Sequence, residues 1–409
     1  MNVRAERFPY VDSLRAFAAL SIVATHAALH AGGSWILPIA ARLESGVAIF
    51  FLISGFLLYR PFARARLTDQ KPPRPAAYAW RRGLRIVPAY WVALTLITIA
   101  VGTPGTFSAD APLYYGITQT WTQHTIGGGL AQGWTLAIEV TFYAFLPLWA
   151  LAMRRLARGR DEHADLTHRV RTELIALAGL FVFSIAWKLG FLAAGDAHRV
   201  SITPALESLP GYLDQFALGM TVAVLSIWVE ESPATASPLR RTRALLERVP
   251  WLPWALAAGA FAIAAWGIGL SGRLLEPFTP AQYLARHLLY AAVGLGVLIP
   301  GVVGAKGLVG WILSRRTLMW LGLISYSIYL YSAAVLTQLE RWGAGPSANG
   351  DRAFVKWAAL AMLATIPVAA ASYYLVERPA LKLKRLVPAR GTLPAPAVSQ
   401  EVDMTAPRA

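Results

Sequence analysis

The chain contains no cysteine in its 409 residues. That excludes disulfides, thiolate metal centres and a thiol nucleophile, so any chemistry must use other side chains. Charge is scarce as well: Asp, Glu, Lys and Arg make up 15% of the residues, against about a quarter in soluble globular proteins. Acidic residues are the scarcer sign, 22 against 38 basic ones, leaving a net charge of +16. In a soluble chain that excess would suggest nucleic acid. Here no basic module on a soluble fold is present and the basic residues gather between apolar runs, so nucleic acid is not expected as a partner. What is abundant is apolar surface: 56% of the residues, with a mean hydropathy of +0.47. The expected solvent of such a chain is a lipid bilayer.

A spanning helix needs about 20 mostly apolar residues. Ten segments qualify, roughly 14–31, 46–61, 84–101, 134–153, 173–194, 207–228, 251–270, 281–300, 317–339 and 354–376. The expected fold is all-α, a polytopic membrane helix bundle of about ten transmembrane helices. Of the 38 Lys and Arg residues, 28 fall on the side of the N-terminus, six on the other side and four within spans. The positive-inside rule then places both termini in the cytoplasm and the chain as a multi-pass protein of a plasma or inner membrane. The first segment is expected to be retained rather than cleaved, because the later spans need it for that orientation. Residues 1–385 read as one transmembrane domain, and 386–409, with Pro394 and Pro396 among small polar residues, as a disordered cytoplasmic tail.

Ionisable residues inside apolar segments are the first candidates for function. Arg15 and His26 share the first one. Eleven residues at 100° each make three turns and about 20°, so both side chains occupy one helix face about 16 Å apart along the axis. That puts His26 about halfway through a core roughly 30 Å thick. A histidine can also simply bridge two helices; the arginine on the same face favours function. His30, one turn on, reads as structural.

A second group lies in Tyr78-Ala79-Trp80-Arg81-Arg82-Gly83-Leu84-Arg85-Ile86-Val87-Pro88. Three guanidinium groups at the cytoplasmic mouth of a helix make a clamp for a polyanion, because arginine forks match phosphate oxygens. A nucleotide-bearing cofactor fits; headgroup anchoring is the alternative for Arg81 or Arg82 alone. Glu139 enters from the opposite side, about 7 Å below Trp134 taken as an interfacial anchor. It can therefore approach the depth of His26, where a carboxylate could orient the ring and raise its basicity.

In this order the residues resemble the acyltransferase-3 family of integral-membrane, acyl-CoA-dependent O-acyltransferases. The matching pieces are Asp12-Ser13-Leu14-Arg15-Ala16 with His26, Phe50 to Leu58, Arg81-Arg82 through Arg85-Ile86 to Pro88 and Tyr90, Trp134-Thr135-Leu136 to Glu139, Ser325-Tyr326-Ser327-Ile328-Tyr329-Leu330, and Val376-Glu377-Arg378-Pro379. The resemblance implies an acyl-CoA donor, acetyl-CoA above others, with its phosphates near Arg81, Arg82 and Arg85 and its pantetheine arm running past Arg15. It implies catalytic roles for His26, Glu139 and Arg15: His26 as general base or as carrier of a covalent acyl group, Glu139 as orienter or proton relay, and Arg15 as a contact to the arm or to the thioester oxygen. No metal is implied. The acceptor it implies is a hydroxyl of a cell-envelope glycan, glycolipid or secreted natural product.

Two positions qualify the resemblance. After Tyr329-Leu330-Tyr331 the family often has histidine, and this chain has Ser332. Asp214, in Pro210-Gly211-Tyr212-Leu213-Asp214, fits another family stretch but reads equally as a helix cap. A secondary transporter of a small anionic or sugar-like solute is the alternative class, since it too would place charges inside ten spans. No inverted repeat is visible to support it.

Overall fold

In the computed structural model of the chain, the described residues are 8–29, 35–157, 165–232, 244–246, 248–270, 277–304, 307–346 and 350–387. His30 and the tail from 388 onward lie outside them. The described residues form helices and turns, with no strand among them. Eleven helices build the bundle: α1 (Pro9–Ala28), α2 (Gly46–Leu67), α3 (Pro75–Ala100), α4 (Gly133–Ala157), α5 (Leu166–Ala194), α6 (Leu209–Glu231), α7 (Leu252–Ala262), α8 (Pro280–Val303), α9 (Arg316–Leu323), α10 (Ser325–Arg341) and α11 (Asp351–Ser372).

Local chemistry sets several starts. Proline occupies the first turn of α1, α3 and α8, where its missing N–H is no loss. Thr279 and Gln282 form a reciprocal capping box on α8, and the Asp165 carboxylate accepts from the His168 amide at 2.9 Å to cap α5.

Side-chain pairs set the helix directions. Phe51 meets Phe216 with ring centroids 4.8 Å apart, and further along the same helices Arg60 meets Glu230 at 2.6 Å, so α2 and α6 run parallel. Their crossing requires glycine on both sides. A Cβ on Gly55 would strike the Phe216 carbonyl, and one on Gly219 the Leu52 carbonyl, so the backbones approach as closely as small residues allow. α1 runs antiparallel to α2, with Phe8 against Phe56 at one end and Gly46 against Ala18 and Ser21 toward the other. One end of the bundle therefore carries Arg60, Arg64, Arg81 and Arg82, and is called the arginine end below. The opposite end carries the starts of α2, α4, α6 and α8.

Seven of the helical segments among the described residues are long and apolar enough to cross a membrane, against the ten expected. α9 and α10 together would make an eighth, bent by 71° at Ile324. Leu252–Gly267 is too short to count, because α7 gives way to a π-helical turn at Ile263. α1 is a continuous 20-residue helix, but Asp12, Arg15 and His26 set into an alanine-rich run lower its hydropathy. A multi-pass membrane bundle stands; the span count and the side on which each terminus lies are not set by the helices themselves.

Asp214 is not a cap. It lies inside α6, fully buried, where Oδ1 accepts from Lys188 Nζ at 2.9 Å and Ser184 Oγ at 3.0 Å, and Oδ2 meets His287 Nε2 at 2.8 Å. One carboxylate thus ties α5, α6 and α8 together, which explains a lysine in the middle of an apolar helix: an intramembrane charge persists where it is paired.

Candidate functional site

A cavity of about 480 Å³ lies between α1, α2, α3, α4 and α10. At the arginine end Arg81, Arg82 and Lys384 line it; its middle holds Arg15, Arg85, Ser54, Glu139 and Tyr143, and its inner end Val47, Thr135 and Tyr329. From Tyr143 to Thr135, eight residues of one helix, the cavity covers about 12 Å along the bundle. Five basic side chains and one carboxylate in a half-apolar shaft make an unusual interior for a membrane protein. Among the described residues Arg81, Arg82 and Arg15 have neither an ion-pair partner nor a hydrogen bond. Arg82 sits 5.9 Å over the ring of Tyr143. Unneutralised guanidinium groups in one shaft leave a net positive field, suited to a polyanion entering from that end.

Arg85 differs. Its Nη1 lies 3.4 Å from Oε2 of Glu377, a residue with no solvent exposure. Ser327 donates to the other oxygen of that carboxylate at 2.5 Å, and Ser327 Oγ also meets Ser372 Oγ at 3.0 Å. Arg85 is therefore held in place by the π-helical turn Tyr373–Glu377 that follows α11, itself braced by α10, while Arg81 and Arg82 are left for a ligand.

Glu139 projects from α4 into the cavity, where Oε1 accepts from Ser54 Oγ and from Tyr143 Oη, both at 2.6 Å. None of its hydrogen bonds among the described residues goes to His26, so the expected direct pairing is not formed. His26 and Arg15 do share one unbroken helix, and Arg15 lies within electrostatic reach of Glu139, Tyr143 and Arg85. His26 itself stands beyond the inner end of the cavity, where its Nδ1 is 3.3 Å from Ser332 Oγ. Ser332 is one helical turn past Tyr329, the last α10 residue on the cavity wall. Two of the residues lining the cavity, Phe50 and Tyr329, form an edge-to-face pair with centroids 6.2 Å apart. The Tyr329 hydroxyl is held by Thr135 Oγ1 at 2.5 Å and the Gln132 carbonyl at 3.1 Å.

The structure thus gathers Arg15, Arg81, Arg82, Arg85 and Glu139 around one space and puts His26 just past its far end. It adds Ser54, Tyr143, Tyr326, Tyr329 and Glu377. Ser54, Tyr326 and Tyr329 were within quoted motifs, yet neutral side chains carry no signal in an apolar run. The partner of Glu377 lies 292 residues away. Among the described residues no group of three His, Asp or Glu is arranged to hold a metal ion.

The family model described as an acyltransferase domain, that of acyltransferase-3, matches residues 8–376. Among curated relatives, the nodulation protein 10 of Rhizobium leguminosarum bv. viciae is 29% identical over 233 residues, 46% of this chain and 60% of that protein. The exopolysaccharide production protein ExoZ of Rhizobium meliloti is 27% identical over 349 residues, covering 83% of this chain and 90% of the relative. The peptidoglycan O-acetyltransferase OatA of Listeria monocytogenes is 23% identical over 393 residues, 91% of this chain and 56% of its own length. The chain therefore spans less than two thirds of nodulation protein 10 and of OatA. No solved structure matches it.

Proposed function

The chain belongs to the acyltransferase-3 family, and on that premise we propose that it moves an acyl group, acetyl above others, from acyl-CoA to a hydroxyl of an envelope glycan, glycolipid or secreted natural product. The observation that carries this reading is the shaft that joins free guanidinium groups at one end to a carboxylate in its middle, with a histidine past its inner end. The basic excess between spans places the arginine end in the cytoplasm, where acyl-CoA is made. Its phosphates would rest on Arg81, Arg82 and Lys384, and its extended arm would pass Arg15 toward Tyr329.

The reaction needs one proton moved and one bond exchanged. His26 takes the acceptor hydroxyl proton as the oxygen attacks the thioester carbonyl; the C–S bond breaks, and the CoA thiolate leaves with that proton. A variant in which His26 first takes the acyl group and then yields it to the hydroxyl balances equally. Ser332, as the Nδ1 neighbour, fixes the ring and selects which nitrogen is left for chemistry. Arg15, about 16 Å from His26 along α1, holds the donor's arm in the shaft beside the hydrogen-bonded set of Glu139, Ser54 and Tyr143. For the acyl carbon to reach His26, the arm must pass the Phe50–Tyr329 pair.

Other membrane classes also hold intramembrane charge, so the donor half is tested separately. Calorimetric titration of acetyl-CoA into the purified full chain in detergent should give binding that disappears in the Arg81→Ala/Arg82→Ala double variant and persists in His26→Ala. Absence of binding, or binding indifferent to both arginines, would refute the assignment.

A further inference from the structure

The end of the bundle opposite the arginine end carries a charged and aromatic cluster that the donor shaft does not use. Glu44, in the 3-10 turn before α2, accepts at Oε1 from Arg286 Nη1 at 2.7 Å and from Tyr290 Oη at 2.9 Å. The Arg286 guanidinium lies 4.0 Å over the ring of Phe278 and near the rings of Tyr283 and Tyr290. Glu207, in the loop before α6, has Oε2 buried without a hydrogen-bond partner, and the hydroxyl of Tyr283, a residue only 7% exposed, has no hydrogen-bonding neighbour other than Tyr212. Buried polar atoms left unmatched cost about 1–3 kcal/mol each, and in a native fold they call for an explanation.

Position supplies one. Glu44, Glu207, Arg286 and Tyr212 are half-buried, so the cluster is reachable. Val47, one turn beyond Glu44, lines the inner end of the donor shaft, and the Tyr212 ring packs on Phe51 and Trp134, neighbours of shaft residues. The short helix Ile36–Arg42 that leads into Glu44 lies along the His26 half of α1, with Thr25 Oγ1 on the Ala40 carbonyl at 3.1 Å. The cluster thus adjoins the inner end of the donor shaft through Val47 and Tyr212.

Composition indicates what binds there. Carboxylate and guanidinium groups each engage hydroxyls in pairs, and aromatic faces accept the C–H face of a sugar ring. A wholly apolar acceptor would leave the buried Glu207 oxygen unmatched.

We propose that Glu44, Glu207, Arg286, Tyr212 and Tyr283 form the acceptor subsite, that its ligand is a carbohydrate ring, and that a ring hydroxyl is presented there to the inner end of the donor shaft. This rests on the acyl-transfer reading above. The state of Glu207 agrees with an uncharged polyol: burial raises its carboxyl to about 8, Glu44 pushes the same way, and Arg286 opposes. At neutral pH it is mostly protonated and can both donate to and accept from a hydroxyl.

The test uses the full chain in detergent, with both faces accessible, labelled acetyl-CoA as donor, and chitotetraose and cellotetraose as probes. The wild type is expected to acetylate at least one probe. Glu207→Ala and Tyr212→Ala should raise KM for that sugar tenfold or more while acetyl-CoA affinity, read by calorimetry, moves less than twofold. Tyr283→Phe removes one buried hydroxyl without disturbing packing, and should raise the sugar KM several-fold even if the larger changes fail to fold. A wild type that binds acetyl-CoA but labels neither sugar overturns the carbohydrate assignment and leaves acyl transfer standing. A wild type that does not bind acetyl-CoA removes the acyl-transfer reading and this proposal with it. A sugar KM unmoved in Tyr283→Phe and in every folded variant overturns the placement.

Discussion

His26 Nδ1 and Ser332 Oγ lie 3.3 Å apart although 306 residues separate them in the chain. Ser332 is the position at which this sequence departs from the family resemblance, so the departure falls on the direct neighbour of the histidine proposed to do the chemistry. The serine also contacts the Tyr329 carbonyl at 3.3 Å, and so anchors the ring to the backbone of α10.

Ser332→Ala removes that anchor and leaves the imidazole in place. A hydrogen bond of this kind is worth about 1 kcal/mol, so kcat should fall roughly five- to tenfold with KM for acetyl-CoA unchanged. Steady-state kinetics separate the two; a raised KM with constant kcat would move Ser332 from ring positioning to donor binding.

Arg81 and Arg82 carry charge without a partner among the described residues. Charge-assisted contacts to phosphate contribute about 1.5–3 kcal/mol each, so either alanine variant should raise KM for acetyl-CoA roughly 10- to 100-fold. Lysine at either place should restore only part of the loss, since it lacks the planar fork. Equal KM values for the arginine, lysine and alanine forms would assign these residues to lipid anchoring.

Glu377 acts through Arg85. Glu377→Gln keeps an acceptor for Ser327 but removes the charge that holds the guanidinium at 3.4 Å. KM for acetyl-CoA should rise several-fold, with kcat nearly constant, and Glu377→Asp should recover part of it. A fall in thermal midpoint with unaltered KM would reduce Glu377 to a structural tie.

Some of this was legible from residues alone and some was not, and the division is physical. Arg15, His26, Arg85 and Glu139 stand out because a charge or imidazole in an apolar run is costly and needs a reason. The helix face shared by Arg15 and His26 followed from the helical period. Ser54, Tyr143 and Tyr329 were silent because hydroxyls cost little in such runs, and their importance comes only from what lies across the bundle. Asp214 was open between cap and site because its partners Lys188 and His287 come from other helices. The ten expected spans and the seven helical segments among the described residues that are long and apolar enough to cross differ at α1, where polar residues interrupt the apolar run, at the 71° bend and at the short α7. The partnership expected between Glu139 and His26 failed for the same reason: similar depth does not establish that two helices face each other.

Asp214 supplies a stability test independent of chemistry. Its carboxylate, with no solvent exposure, pairs with the fully buried Lys188 ammonium and meets the His287 ring. Asp214→Asn leaves Lys188 buried beside a neutral amide and should destabilise the fold by about 3–5 kcal/mol. Asp214→Asn/Lys188→Met should regain a large part of that. Thermal unfolding in detergent checks both; a double variant no more stable than the single one would contradict the pairing.

The central claim is that His26 is where acyl-CoA meets the acceptor, and the most direct measurement is transfer of label from labelled acetyl-CoA by membranes carrying wild-type or His26→Ala protein. The account predicts that the variant is made and inserted at wild-type level, binds acetyl-CoA with unchanged affinity, and transfers less than about a hundredth as much label, the scale of a lost general acid–base group. Label transfer at the wild-type rate by folded His26→Ala would contradict it.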